Sequence, residues 1–252
     1  MVDRSQLDTF EADGAVLIRG LLDDHWIDSL RASMPDILAG TYDPVERMRG
    51  ARGGAVRQRD GMWRDVDAFR RFLFDSPVGD TAATLMRSRQ ARLYEDLLLY
   101  KEAGADGRAG WHRDAPYWPL TGRQLSSVWF ALEAVTEDTG ALRFVAGSHL
   151  DDDELANVPS VTEGEVVASG RQVLVLEAAP GDVVAFHPRA LHTAYGSAPD
   201  RPRRTFTLRF TGDDVRWRPR REMFHPWMAE CGLAKGDVLD HPWFPVVNGV
   251  DA

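Results

Sequence analysis

With 252 residues, 44% of them hydrophobic and 10% aromatic, the chain carries enough apolar material for one large core, and all-β folds commonly reach this length as one domain. A formal net charge of -9, from 39 acidic and 30 basic residues, repels a polyphosphate backbone and argues against nucleic acid as a partner. The single cysteine, Cys231, excludes an internal disulfide framework and any Cys-rich zinc or iron–sulfur site, so a metal here has to be held by His and carboxylates.

The first thirty residues contain no apolar h-region, and no apolar run is long enough to cross a bilayer, so a cytoplasmic chain without membrane contact is expected. A short helix is expected around Leu7 and Phe10, then a strand over Ala15–Arg19 closed by Gly20. A second helix begins near Asp23 or Asp24. Its Ile27, Leu30, Met34 and Leu38 recur at about 3.6-residue spacing behind an Asp cap, which places it on the surface of a core. Tyr42 to Asp60 is rich in Gly and Arg without a clear period and reads as irregular, whereas Val66 to Arg87 reads as helical.

From Ala91 the texture changes to short β-branched and aromatic runs separated by Gly, Pro and Asp. Strands are predicted at Ala91–Lys101, Gly110–Asp114, Ser126–Ala134, Leu142–Ala146, Gln172–Leu176, Val183–His187, Ala190–Tyr195 and Arg203–Phe210. The predicted fold class is therefore mainly β with flanking helices, a double-stranded β-helix or jelly roll. One domain is expected over 1–252, with a mostly helical part at 1–90, the jelly-roll core at 91–215 and a tail at 216–252. That tail, with Trp217, Trp227, Trp243 and Phe244 between prolines, is expected to wrap the outside of the sandwich.

The segment Gly110-Trp-His-Arg-Asp-Ala-Pro-Tyr-Trp-Pro119 sets His112 and Asp114 two residues apart, where side chains of a strand share a face and two donors can grip one ion. An H-x-D pair alone is a weak signal. A third ligand has to arrive from a distant strand, and His187 and His192 are the candidates. His187 ends a strand against Pro188, whereas His192 is followed eleven residues later by Arg203, which opens a strand with Thr205 and Thr207 on its face. Two imidazoles and a carboxylate on one side of an ion suit non-haem Fe(II) and leave positions open, with zinc as the competitor. A buried guanidinium at 203 would clamp the far carboxylate of a dicarboxylic acid by paired charge-assisted hydrogen bonds.

These stretches resemble the phytanoyl-CoA dioxygenase family, and in particular its bacterial small-molecule hydroxylases. The similarity runs through Phe10–Leu30, Leu97–Gly104, Trp111–Leu120, Ser127–Glu133, Thr136–His149 and Pro180–Asp214. Its most specific pieces are His112-Arg-Asp114, Gly140-Ala-Leu with Gly147-Ser-His149, and His192 with Arg203. The resemblance implies a metal triad of His112, Asp114 and His192, a 2-oxoglutarate arginine at Arg203, and a tryptophan lining the cosubstrate pocket at Trp129. It implies Fe(II), 2-oxoglutarate and O2 as the working set, with hydroxylation of an unactivated C–H bond of a small molecule and release of succinate and CO2. Arg113 stands where relatives often have Gln, which puts substrate contacts in question. Ala194 replaces a small polar residue and removes one hydrogen bond to the cosubstrate. Relatives that halogenate lack the carboxylate that Asp114 keeps, so hydroxylation is favoured.

Tyr117 and Trp118 are candidates for the substrate mouth, against the plainer reading of core aromatics. Arg113 and Arg209 are further candidates for substrate contact. Facing Arg203 and Arg209 inward requires Phe206, Leu208 and Phe210 to pack beneath helices on the other side of the sheet. His149 and His187 otherwise read as structural, and His25, His225 and His241 as surface or tail residues. The Asp151–Glu154 acidic run reads as solvated surface. A cupin-like metalloenzyme without 2-oxoglutarate would share the triad and not need Arg203; a non-catalytic jelly-roll binding domain would share only the fold.

Overall fold

The computed structural model of the protein describes residues 2–39, 49–51, 54–105, 109–151, 161–194, 200–219 and 230–249. Asp152, Asp153, Glu154, Tyr195, His225 and Trp227 lie outside them, as do 42–48 and 52–53 of the segment expected to be irregular.

Helix α1 (Arg4–Asp13) starts at a capping box in which Asp3 and Gln6 each bond the other's backbone, and it ends at Gly14 with φ 80. Strand β1 (Ala15–Ile18) leads into α2 (Asp24–Leu38), where the Asp23 carboxylate accepts the Trp26 N–H. Helix α2 buries Ile27, Leu30, Ser33, Met34 and Ile37, so the expected stripe ends on Ile37 rather than Leu38. Strands β2 (Arg49–Ala51) and β3 (Gly54–Asp60) correct the reading of this stretch as irregular. They end the sheet, β2 at its edge and β3 between β2 and β4, where backbone pairing suffices and little apolar alternation is needed. Arg59 shows the consequence: it lies opposite Leu98 on the helix-covered face and donates to the Ile37 carbonyl at the end of α2.

Three helices, α3 (Met62–Asp65), α4 (Asp67–Asp75) and α5 (Val78–Leu85), occupy the stretch read as one helical run. Pro77, which has no N–H to continue a helix, stands at the break before α5. The rest of the chain is β4 (Gln90–Lys101), β5 (Ala109–His112), β6 (Leu120–Thr121), β7 (Leu125–Ala131), β8 (Leu142–Val145), α6 (Glu163–Ala168), β9 (Val173–Leu176), β10 (Val183–Phe186), β11 (His192–Ala194), β12 (Arg203–Thr211), β13 (Arg216–Trp217) and β14 (Val246–Gly249). All eight predicted strands are present, as β4, β5 and β7 to β12.

Two antiparallel sheets make the jelly roll. The larger has the order β1-β10-β7-β12-β4-β3-β2 with β14 also on β4, and the smaller has the order β5-β11-β8-β9. Strand β12, between β7 and β4, decides what each face of the large sheet does. Its Phe206, Leu208 and Phe210 join Val128, Phe130 and Leu98 in a core that includes Leu30, Met34, Phe69 and Phe72 from the helices. Phe206 stacks on Phe130 at 5.3 Å and meets Phe69 at 5.5 Å. Arg203, Thr205, Thr207 and Arg209 point the other way, toward the smaller sheet. Between the sheets lies a second core containing Trp129, Ala131, Phe144, Val184 and Phe186.

The tail does not merely wrap the sandwich. Trp217 and Phe244 are buried in a cluster with Tyr94, Trp118, Leu120 and Leu125, and β14 pairs with the start of β4. Trp243 packs only at its rim. Among the described residues no helix is long and apolar enough to cross a membrane. Because Phe206 is fully buried where helices meet sheet, Phe206→Ala is expected to cost about 3–5 kcal/mol of stability in chemical denaturation. A loss within 1 kcal/mol would show that α4 does not depend on this face.

Candidate metal centre

The ends of two paired strands build the site. His112 closes β5, His192 opens β11, and the two are direct partners in the antiparallel register. Their ring centroids are therefore 4.2 Å apart. Asp114 lies just beyond β5, where the chain turns into a short 3-10 helix over Ala115–Tyr117 and the Asp114 N–H donates to the Pro188 carbonyl at 2.9 Å. That bond ties the first ligand-bearing segment to the loop leading to the second.

Each imidazole spends Nδ1 on a carbonyl, His112 on Gly110 at 2.8 Å and His192 on Ala190 at 3.0 Å. A ring nitrogen facing a carbonyl oxygen has to carry a proton, so in the neutral ring Nε2 is the lone-pair donor. They face Asp114 Oδ1 at 3.6 and 4.0 Å, too far for hydrogen bonds, and one ligand atom from each residue lies within 4.8 Å of the others. Among the described residues this is the one such grouping of His, Cys, Asp and Glu. The donor set, two imidazoles with Nδ1 held by carbonyls and one carboxylate oxygen, fits a divalent first-row metal.

The electrostatics agree with that use. Burial alone would raise the Asp114 carboxyl, but the Arg209 guanidinium and the two imidazoles hold it well below the usual carboxylate range. Burial lowers His192 to about 4, with His112 adding to the effect, so His192 is neutral at physiological pH. Burial works against charge on His112 too, but Asp114 and the Gly110 carbonyl outweigh it and raise that group. Phe144 and Phe186 flank the His192 ring at 5.7 and 4.9 Å, while His112 is a third exposed, so the site opens on its His112 side.

The remaining candidates divide. Arg203 is buried on the concave face, its Nη1 donates to the carbonyls of Gly140 at 2.7 Å and Thr139 at 3.4 Å, and its Nε has no partner. Among the described residues no carboxylate pairs with it, and burial lowers it to about 10. Trp129 lies on the same face, in register with Thr207. Arg113 points away, to Asp151 at 2.8 Å and the Ser148 carbonyl at 3.2 Å, because its neighbours on either side face the site. Tyr117 is 54% exposed beside Asp114, whereas Trp118 is buried against Tyr94 with the Arg209 guanidinium 5.4 Å above its ring. Arg209 bonds Asp114 and Glu95. Glu95 was not singled out from the sequence, although an acid inside the apolar run of β4 is a visible signal.

His187 is held away from the site. Its Nε2 donates to the Arg123 carbonyl at 3.0 Å and its Nδ1 accepts from the Arg189 N–H at 3.1 Å. His149 lies 5.5 Å from it and donates to the Glu11 carbonyl. The turn carrying His149 braces the centre from behind: the Ser148 hydroxyl accepts the N–H of Leu191, next to His192, and its carbonyl accepts from Arg113.

A family model described as phytanoyl-CoA dioxygenase (PhyH) matches residues 10–205. The chain belongs to the phytanoyl-CoA dioxygenase family. One relative of this family member is the dioxygenase lolE1 of Epichloe uncinata, 26% identical over 124 residues, which are 47% of this chain and 46% of that protein. The chain spans about half the length of the curated relatives it matches. Among solved structures, the non-heme alpha ketoglutarate dependent carbocyclase SnoK from nogalamycin biosynthesis superposes with a TM-score of 0.83 at 22% identity, covering 98% of this chain and 97% of that one. The epimerase SnoN, in complex with Fe3+, alpha ketoglutarate and nogalamycin RO, gives 0.82 at 23% identity over 97% of this chain and 98% of that one. These likenesses establish the shared jelly-roll fold of this phytanoyl-CoA dioxygenase family member.

Burial lowers His187 to about 3, below its unfolded value near 6.5, so the unfolded chain binds the proton more tightly. Its contribution to stability is full above pH 6.5 and is lost as the pH falls toward 3, at about 1.4 kcal/mol per pH unit. In metal-free protein, His187→Gln should flatten the dependence of unfolding free energy on pH between 6.5 and 4; an unchanged slope would mean that His187 is already protonated in the fold.

Proposed function

We propose that this chain is an Fe(II)- and 2-oxoglutarate-dependent oxygenase that hydroxylates a C–H bond of a small molecule and releases succinate and CO2. The observation that carries the reading is the pairing of a converged His112/Asp114/His192 donor set with a buried guanidinium, Arg203, that has no carboxylate partner among the described residues. A cupin-like metalloenzyme would have no use for that arginine, and a binding domain would have no use for the triad.

Fe(II) bound by His112 Nε2, Asp114 Oδ1 and His192 Nε2 would supply dioxygen activation coupled to oxidative decarboxylation of the cosubstrate. The chain's own residues do the rest. The carbonyls of Gly110 and Ala190 fix both imidazoles in the donor tautomer. Arg203 takes the distal carboxylate of 2-oxoglutarate, which gives its stranded guanidinium the charge partner that burial otherwise denies it. Trp129, with Phe144 and Phe186, excludes water from that side.

The concave face of β4 supports a substrate with an apolar carbon skeleton. Leu97 and Leu99 lie opposite Thr207 and Thr205, facing the space between the sheets, and both are only half-buried. Neither joins a hydrophobic cluster among the described residues, so they offer apolar surface to a ligand. Tyr117, exposed beside Asp114, extends that surface at the mouth.

Anaerobic addition of Fe(II) and then 2-oxoglutarate should produce the visible metal-to-ligand charge-transfer absorption, and His112→Ala should abolish it. Its absence from intact wild-type protein would overturn the reading. Arg203→Gln should weaken 2-oxoglutarate binding by about 100-fold or more, while Fe(II) binding persists. Oxygen-dependent turnover indifferent to Arg203→Gln would favour the cupin-like alternative.

A further inference from the structure

The triad leaves one strongly charged buried group without a role. Arg209 projects from β12 onto the concave face and stands between two acids: Glu95, its register partner on β4, and Asp114. Glu95 is 4% exposed and Asp114 7%. Arg209 Nη1 donates to Glu95 Oε2, and Nη2 reaches Asp114 Oδ2 at 3.2 Å. Its planar head lies over the Trp118 ring, which Tyr94 packs against at 5.1 Å. The guanidinium is thus fixed from three sides, by an acid, an aromatic face and the carboxylate it serves.

The two oxygens of Asp114 have separate partners. Oδ1 faces the Nε2 atoms of both histidines, and Oδ2 faces Arg209. A free carboxylate beside a divalent ion can chelate with both oxygens, which fills a coordination position and spreads the two histidines. A carboxylate with one oxygen drawn toward a guanidinium is biased to offer the metal the other.

We infer that Arg209, anchored by Glu95, is the positioning residue that makes Asp114 a one-oxygen ligand, and so keeps open the metal positions that a two-oxygen cosubstrate and dioxygen need. This rests on the metal reading above and gives Arg209 a role other than substrate contact. Glu95 takes part because it holds the head of Arg209 from the side opposite Asp114; without it, only the Trp118 ring and Asp114 itself hold the rotamer. Retaining the charge is therefore not enough: a lysine ammonium is a single point and lacks the planar fork that bridges two carboxylates.

Anaerobic titration of metal-free protein with Co(II), read by visible d–d absorption, tests the inference without turnover, because band intensity reports coordination number. Arg209→Gln is expected to bind Co(II) no more weakly than wild type, since a neighbouring cation is lost and a second carboxylate oxygen is freed, and to show weaker visible bands, the sign of a higher coordination number. Arg209→Lys should weaken the bands in the same direction but less, and Glu95→Gln less still. A wild-type spectrum in Arg209→Gln would overturn the inference and leave a structural ion pair joining β12 to β4. Should circular dichroism show that Arg209→Gln does not fold, Arg209→Lys and Glu95→Gln decide, and wild-type spectra in both would overturn it. Wild-type protein that binds no more Co(II) than His112→Ala would instead sink the metal reading itself.

Discussion

The two-sided alternation of β12 is the constraint on which the molecule depends. Nine residues in the middle of the large sheet carry Phe206, Leu208 and Phe210 to the helices and Arg203, Thr205, Thr207 and Arg209 to the cavity. A shift of one residue in pairing would put two guanidiniums beneath α2 and α4 and three apolar side chains beside the triad. Burial of the phenylalanines thus fixes the register, and the register delivers the arginines. Stability and chemistry are set by the same strand.

The second constraint is charge. The concave face holds two arginines with opposite circumstances. Arg209 lies between two acids that more than offset its burial and raise it above its ordinary value, whereas Arg203 meets only carbonyl oxygens and is pushed down to about 10. The first is complete within the chain. The second has no counter-charge among the described residues, and the proposed cosubstrate role rests on that feature. A buried cation without its counter-ion is costly, and in this respect the two arginines of the concave face differ.

The smaller sheet works as a mount. Pairing of His112 with His192 comes from backbone hydrogen bonds between β5 and β11, and the Ser148 turn holds both strands from behind. Fixing the two imidazoles through Gly110 and Ala190 requires no side chain besides the histidines themselves. This is why the donor geometry follows from strand register and two carbonyls.

Much of this was legible in the sequence. Eight strands and the Asp-capped α2 can be read from period and turn residues, because a half-buried strand must alternate; spacing offers His112 and Asp114 with either His187 or His192, and the set with His192 and Arg203 is what the family resemblance implies. What the sequence left open was settled by contacts between distant segments. Gly54–Asp60 pairs as a strand although its composition gives no period, since backbone bonds to β2 on one side and β4 on the other hold it. Trp118 turns inward and Tyr117 outward, a choice made by the 3-10 turn after Asp114 rather than by residue type. Arg113 is drawn away from the centre by Asp151, and Arg209 is drawn toward it by Asp114 and Glu95. A sequence determines which side chains are available and which face each takes along its own strand; only the folded chain decides which charges meet, because ion pairs form between residues whose separation is set by sheet order.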